Sequence, residues 1–292
     1  MLFLLYILLI NIIAFAMYGG DKHKAKKDSW RIPEHRLMMV AWLGGALGAL
    51  IGMRYFRHKT LHWRFRIGVP LALILWTAPV FSVSLVYAMQ SGRLLFTPLM
   101  IRRSIEAHRD HKPYTKDYQW VPYEAISPNM VRAVIASEDN LFAKHNGFSE
   151  RAIRQAWEER HQYGRVKHGG STISQQTAKN VFTFGRRTWF RKARETWYTI
   201  LIEQLWSKQR IMEVYLNVIE MGDGIYGAEA AARRYFHHSA ARLSYNESAL
   251  LAACLPSPRR YSVTHPGPYM QRRQQQILYL MPKMGSVHLP NE

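Results

Sequence analysis

The chain has 292 residues and carries 40 Lys and Arg against 20 Asp and Glu, a formal net charge of +20. That length allows one or two domains, and so large a charge calls for anionic partners such as nucleic acid, anionic lipid or phosphate groups. The single cysteine, Cys254, excludes an intrachain disulfide, and its setting in Ala249–Leu255 reads as a small buried hydrophobe rather than a nucleophile.

Three apolar stretches open the chain, at residues 1–18, 37–53 and 67–89. A crossing helix needs roughly 20 apolar residues. The first stretch is marginal and apolar except for Asn11. It has neither the positive start nor the small-residue cleavage site of a signal peptide, so a retained anchor is expected. The second is short and holds four glycines, and the third is ample. Residues 19–66, around and between them, hold 11 basic and 3 acidic side chains, the densest positive excess in the chain. Charge placed there favours a membrane surface over nucleic acid. If the third stretch runs outward, three full spans put Asp21–Arg36, with six Lys and Arg, outside, against the positive-inside tendency. A re-entrant hairpin at Leu37–Met53, shielded by protein, would put that loop and Arg54–Arg66 on one side. Both arrangements stay open on sequence alone.

The expected organisation is a membrane domain over 1–90, a connector over 91–120, a helical domain over 121–284 and a tail over 285–292. The connector contains Pro98 and Pro113 with mixed charge, and has room for a short strand or helix. Beyond it, helical periodicity and caps predict helices over Glu150–His161, Thr172–Phe182, Trp189–Trp206, Lys208–Val218, Ser248–Leu255 and within Pro266–Met284. Ser244 and Glu247 form a capping box, and Pro256-Ser257-Pro258 ends its helix.

Four motifs carry chemistry. Ser137–Gly147 brings together Glu138, Asp139, Phe142, His145 and a glycine. Glu138 falls at a predicted helix end in front of Phe142, where partial desolvation raises a carboxyl pKa. Gly169–Gln176 opens a helix after two glycines. Ser171, Gln175 and Lys179, four residues apart, share a face of it, and such an N-terminus with a lysine can hold phosphate. Arg186, Arg187, Arg191, Lys192 and Arg194 surround Glu195. Alone, this is a solvated basic face with an i,i+4 pair worth a few tenths of a kcal/mol. In Lys208–Asn217, Arg210, Glu213 and Asn217 fall on one helix face.

Taken together, these motifs resemble the peptidoglycan glycosyltransferases that polymerise lipid II, over roughly residues 115–283. The resemblance is to the monofunctional biosynthetic enzymes, because no Ser-x-x-Lys or Lys-Thr-Gly occurs for a transpeptidase domain. It implies a mainly α fold: N-terminal transmembrane helices, then a lysozyme-like, two-lobed helical domain with a cleft. Glu138 maps onto the catalytic base, and Glu195 onto the second essential acid, which organises the donor site. Both are expected to face one cleft at least roughly 6 Å apart. The substrate-binding residues implied are Asp139, Ser171, Thr172, Gln175, Gln176, Lys179, Arg187, Arg194, Lys208 and Arg210, with Gln162–His168 as a flap over the acceptor side. The implied reaction forms β-1,4 linkages with inversion and releases undecaprenyl pyrophosphate. No metal site and no obligate cofactor are expected, although Mg2+ or Mn2+ can assist at a pyrophosphate. Expected partners are lipid II, nascent glycan, membrane lipid and cell-wall synthesis or division proteins, not nucleic acid. The expected location is the bacterial cytoplasmic membrane with the catalytic domain on its outer, periplasmic side, and Phe182, Phe184 and Trp189 dipping into it.

Tyr235–His238 departs from the usual Phe-Gly-Lys of the family, a peripheral difference, and Ser149 stands where an Asp is common. A lytic enzyme of the same fold class would not need the second acid or the cations, and a non-catalytic scaffold is a further alternative. Separately, Tyr18–Lys22, Arg31–Glu34 and Phe56–Thr60 resemble a small uncharacterised bacterial membrane-domain family over about residues 3–75. That resemblance implies no known activity. Asp21 with Lys22 and His58 with Lys59 read as a headgroup site or as interfacial anchoring charge.

Overall fold

The computed structural model describes the chain except residues 1, 151–153, 155, 156, 159, 160, 163–169, 186, 187, 286, 288, 291 and 292. The expected Glu150–His161 helix lies largely outside the described residues, as does the expected flap beyond Gln162. The chain forms two compact units, Met1–Leu85 and Val86–Glu292.

The first unit contains α1 (Leu2–Lys26), α2 (Glu34–Val40), α3 (Ala46–Tyr55) and α4 (Trp63–Ala88). By length and composition α1, α4 and the stretch Glu34–Tyr55 could each cross a membrane. Glu34–Tyr55 is not one rod, however. At Gly44 the backbone turns to φ 112°, inside a widened turn over Ala41–Gly45 that joins α2 to α3. Side-chain pairing shows the consequence. Tyr6 bonds the Leu43 carbonyl, Asn11 accepts from Gly48 N, and Asp21 bonds His58, each pair 37 positions apart. A constant offset means that α1 and α3 run parallel. Yet Glu34 lies 2.6 Å from Lys59, just past the other end of the stretch. A straight 22-residue helix would hold its ends about 33 Å apart. The chain therefore goes in along α2, reverses at Gly44 and returns along α3. The stretch is thus folded back on itself as a hairpin rather than extended as one rod.

The reversal frees backbone groups, and side chains from α1 and α4 take them up. Trp76 Nε1 donates to Trp42 O (2.9 Å), Tyr6 Oη to Leu43 O (2.7 Å) and Asn11 Nδ2 to Gly44 O (2.9 Å). Asn11 Oδ1 accepts from Gly48 N at 2.7 Å. Gly48 is required for this approach, since a Cβ there would lie 1.9 Å from Asn11 O. Ala14, Tyr18, Leu37, Ala49, Met53, Phe65 and Val69 fill the core of the unit.

The second unit is built of helices around a small sheet. Its helices are α5 (Pro98–Arg109), α6 (Pro128–Glu138), α7 (Ile173–Phe182), α8 (Trp189–Leu205), α9 (Lys208–Val218), α10 (Gly227–Phe236), α11 (Tyr245–Cys254) and α12 (Pro268–Leu280). The strands β1 (Asp117–Tyr118), β2 (Glu220–Gly222) and β3 (Ile225–Tyr226) are ordered β1-β3-β2, with β1 parallel to β3 and β2 antiparallel to it. Amphipathic faces bury Met130, Val134, Ile173, Ile202, Ile211, Met212, Tyr215 and Leu216. Helix starts follow their caps: Ser127, Thr172, Thr188, Ser207 and Ser244 each accept a first-turn amide. Thr172, not Ser171, caps α7.

Two expected segments gain definition. The supposed connector contains a three-turn helix, α5, capped by Thr97 with Pro98 in its first turn. Buried Glu220 fixes it through Arg103 Nη2 at 2.7 Å. The expected tail is anchored, with Leu289 buried and Pro290 O accepting from Gln209 N.

Replacing Asn11 with leucine leaves Gly44 O and Gly48 N without these partners. It is expected to destabilise the first unit by about 1–3 kcal/mol, read as a lower thermal midpoint of the full chain in detergent micelles.

Candidate active site

Glu138 is the last residue of α6, which ends where Asp139 leaves the helical region (φ −164°, ψ 78°). Its carboxylate faces a cavity of about 650 Å³ lined by Ser137, Ser171, Gln176, Lys179 and, from α12, Tyr269, Arg272, Arg273 and Gln276, with Leu255 and Pro256. Gln176 Nε2 donates to Glu138 Oε2 at 2.8 Å. The amide is oriented in turn by buried Tyr215, whose hydroxyl donates to Gln176 Oε1. Burial pushes the Glu138 carboxyl above the ordinary glutamate value. The Gln176 bond, Arg273 and Lys179 pull it back, and Asp139 adds to the rise. A carboxylate that is desolvated yet open to a cavity is suited to general-base work.

Asp139 points elsewhere. It is buried, accepts from His145 Nε2 (2.9 Å) and caps the Ile173 amide at the start of α7 (3.1 Å). His145 Nδ1 accepts from Gly147 N, so its proton sits on Nε2, facing Asp139. Thr172 and Gln175 are used up in the capping box, and Thr172 Oγ1 also donates to Gly147 O. Lys208 Nζ donates to His145 O and to Glu203 and lies 4.6 Å from the centre of the Phe142 ring. Arg210 bonds Glu213 and the carbonyls of Met89 and Gly92. Arg194 bonds Phe182 O, near the end of α7. The structure does not bring these six residues, expected as substrate ligands, to the lining of that cavity. Their bonds named above are internal to the fold, although Arg210 Nε is buried without a hydrogen-bond partner among the described residues. Ser171, Gln176 and Lys179 do line it. Arg187 lies outside the described residues.

Lys179 lines a second cavity of about 200 Å³, with Leu99, Arg102, Asn180, Thr183, Gly185 and Arg191. Asn180 Nδ2, Arg102 Nε and Arg191 Nε are buried donors without a hydrogen-bond partner, and Asn180 is only 4% exposed. Arg102 Nε stands 3.6 Å from Glu106, an ion pair beyond hydrogen-bond length. Burial holds Lys179 below the ordinary lysine value. Glu195 and Glu138 pull it up again, while Arg191 and Arg102 push it further down. Donors and cations converging with no resident acceptor suit a phosphate group. Sequence reasoning missed Arg102, Asn180, Arg191, Arg272 and Arg273 as lining residues. Asn180 directly follows Lys179, and Arg191 begins the basic run, so both were within reach. Arg102 and α12 become visible only in the fold.

Glu195 is buried and lines neither cavity. It holds Lys192 Nζ at 2.6 Å and Arg191 Nη1 at 3.4 Å. It is expected to face one cleft with Glu138; in the structure it pairs with Arg191, which lines the second cavity, while Lys179 lines both cavities. Phe182 is buried and stacks on Tyr198 at 4.5 Å, not at a membrane edge. Phe184, Trp189, Phe190 and Trp197 are exposed. Cys254 is buried near Glu138, and burial pushes its thiol up to about 12.

Residues 106–282 match the model of a family described as transglycosylase, and residues 11–65 match one described as a protein of unknown function (DUF1294). The chain is 52% identical over 185 residues to a biosynthetic peptidoglycan transglycosylase of Bacteroides thetaiotaomicron, covering 63% of this chain and 74% of that one. It is 48% identical over 207 residues to one of Caulobacter vibrioides, covering 71% and 86%. A third, of Aeromonas hydrophila, is 51% identical over 172 residues, covering 59% and 73%.

Because the folded-state value of Glu138 is raised, its stability contribution is full below the ordinary carboxyl value and is lost as pH rises through the raised one. Glu138→Gln removes that loss. Its thermal midpoint relative to wild type is expected to rise as pH increases above the ordinary carboxyl value of about 4, followed by calorimetry.

Proposed function

The chain belongs to the transglycosylase family, and on that premise we propose that it polymerises the glycan strands of peptidoglycan from lipid II. The observation that carries this is the Glu138 carboxylate, set in a cavity of about 650 Å³ beside Gln176 and Lys179. In this reading Glu138 takes the proton from the acceptor 4-hydroxyl as its oxygen attacks C1 of the lipid-linked strand. The C1–oxygen bond to the pyrophosphate breaks, and undecaprenyl pyrophosphate leaves. One displacement inverts an α-linked donor to a β-1,4 linkage and needs no enzyme nucleophile. The leaving group takes on negative charge, and the cavity of Lys179, Arg102, Asn180 and Arg191 supplies donors for it. Glu195 acts through Arg191 and Lys192 as a positioning residue.

No obligate cofactor belongs to this reading. Among the described residues no three His, Cys, Asp or Glu side chains gather as a metal cage. A divalent cation that assists would bind the pyrophosphate oxygens, with Lys179, Arg102 and Arg191 supplying further positive charge around them. The chain is associated with a membrane through its apolar helices. We infer that the membrane is the bacterial cytoplasmic one and that the catalytic unit works at its outer face, where exposed Phe184, Trp189, Phe190 and Trp197 suit contact with lipid. Cell-wall synthesis or division proteins are the protein partners this setting implies.

Incubation of the purified full chain with labelled lipid II tests the reading. Polymerised glycan supports it, whereas shortened sacculi without polymer would make the protein lytic. Glu138→Gln is expected to lower the rate by about 10²–10⁴-fold while lipid II still binds, and an unchanged rate would move the base elsewhere. Arg102→Gln is expected to lower kcat/KM about tenfold, the size of a lost charge-assisted hydrogen bond. Arg109→Gln, on the same helix but paired with Asp110, should change it little.

A further inference from the structure

The reversal at Gly44 fixes which parts of the first unit share a face. The arms α2 and α3 have 7 and 10 residues, about 10 and 15 Å at helical rise, and neither reaches across a hydrocarbon core of about 30 Å. The two loops flanking the hairpin are tied together. Buried Asp21, near the end of α1, accepts from Ile32 N (2.8 Å) before α2 and bonds His58 Nε2 (2.7 Å) after α3. Lys59 bonds Glu34 across the same junction at 2.6 Å. The loops Asp21–Arg36 and Arg54–Arg66 thus meet at one end of the unit.

That end is strongly basic. The two loops hold eleven Lys and Arg against three carboxylates, and two of the carboxylates, Asp21 and Glu34, are engaged by His58 and Lys59. Lys24, Lys27 and Arg31 are exposed on one loop, and Arg54, Arg57 and Arg64 on the other. Among them stand large apolar side chains left open to the outside: Trp30 is 95% exposed, Leu61 92% and Trp63 69%. Aromatic side chains interleaved with cations at the end of an apolar helix bundle match the headgroup layer of a bilayer. The rest of the lateral surface, along α1 and α4, is apolar.

We propose that only α1 and α4 cross the membrane, that the α2–α3 hairpin enters and leaves by the same face, and that the paired basic loops form a docking surface for anionic phospholipid headgroups of the inner leaflet. The positive-inside conflict of three spans then disappears, because both basic loops lie on one side. The amino terminus and the chain leaving α4 fall on the other. Nucleic acid would account for the charge but not for Trp30, Leu61 and Trp63.

Two measurements on the full chain test this. Cysteines are placed singly at Ser29, Thr60 and Thr264, all exposed, while native Cys254 is buried. With an impermeant maleimide on spheroplasts, Thr264→Cys should label at once, and Ser29→Cys and Thr60→Cys only after lysis. Labelling of Ser29→Cys and Thr60→Cys from opposite sides would overturn the hairpin topology. Labelling of both from outside would overturn the inner-leaflet assignment. In nanodiscs of mixed phosphatidylglycerol and phosphatidylcholine, native mass spectrometry should show phosphatidylglycerol preferentially retained, even in excess inorganic phosphate. Combined replacement of Lys24, Lys27, Arg31 and Arg57 by glutamine should reduce that preference at least about tenfold, since each basic residue near an anionic surface contributes on the order of fivefold. Equal retention of both lipids by wild type, or displacement by phosphate or by added RNA, would overturn the lipid assignment. Neither measurement depends on polymerase activity.

Discussion

The Asp139 carboxylate is the joint on which the candidate active site depends. It holds the amide that opens α7 and the imidazole of His145 at the same time. This fixes the end of α6 against the start of α7. Glu138, one residue earlier, is thereby aimed the other way, into the cavity, and meets Gln176 from the second turn of α7. Asp139 can do this because it is buried and its oxygens are fully used by an N–H of the backbone and one of a ring. Adjacent carboxylates thus have opposite tasks. One is satisfied and rigid, the other desolvated and left reachable. The difference in their surroundings, not in their chemistry, leaves one carboxylate bound into the fold and the other facing the cavity.

The same division runs through the motif residues. Where the sequence has a side chain that can bond its own backbone neighbourhood, the fold uses it that way. Thr172 and Gln175 close a capping box, Lys208 spans Phe142, His145 and Glu203, and Arg210 clamps the segment just after α4. Their identities and order were legible in the sequence, and so was the family. Their roles were not, because spacing reports which face a residue shares but not whether its polar atoms already have partners. The helices α7, α8 and α9 were legible to within a residue, whereas α11 begins at Tyr245, three residues before the expected Ser248. The sheet was not, since two- and three-residue strands carry no alternation to detect. The α5 helix was obscured by the prolines of its segment, although Thr97-Pro98 is a regular helix start. Arg102 and Arg273 reach the site from helices remote in sequence, which no local pattern encodes.

In the first unit the sequence contained a conflict rather than an answer. Four glycines in a short apolar stretch and two basic loops that belong on one side argued for a reversal, while length and composition argued for a span. The structure satisfies the glycines and the loops together. Gly44 supplies the backbone angle and Gly48 the close approach, and Asn11, the lone polar side chain of the first stretch, supplies partners for both arms of the turn. Irregular backbone at membrane depth is tolerated only where protein takes up its polar groups, and here three residues on α1 and α4 do so. An asparagine in an apolar run thus marks the position of the break in another helix.

The excess of positive charge separates into two populations with different physics. On the paired loops the cations are exposed and spaced along a surface, where each contributes independently and weakly and salt screens it. Around Lys179 they are few, partly buried and mutually repelling, and burial with Arg191 and Arg102 already holds the lysine below its ordinary value. Such a group of cations is unfavourable when empty and becomes favourable when an anion enters, because the anion favours the charged form of Lys179 and gives Asn180, Arg102 and Arg191 acceptors for their unpaired donors. Glu195, buried behind them, keeps the group from flying apart without filling the cavity. A site built this way responds most strongly to a ligand whose negative charge grows during the reaction, as it does on a departing pyrophosphate.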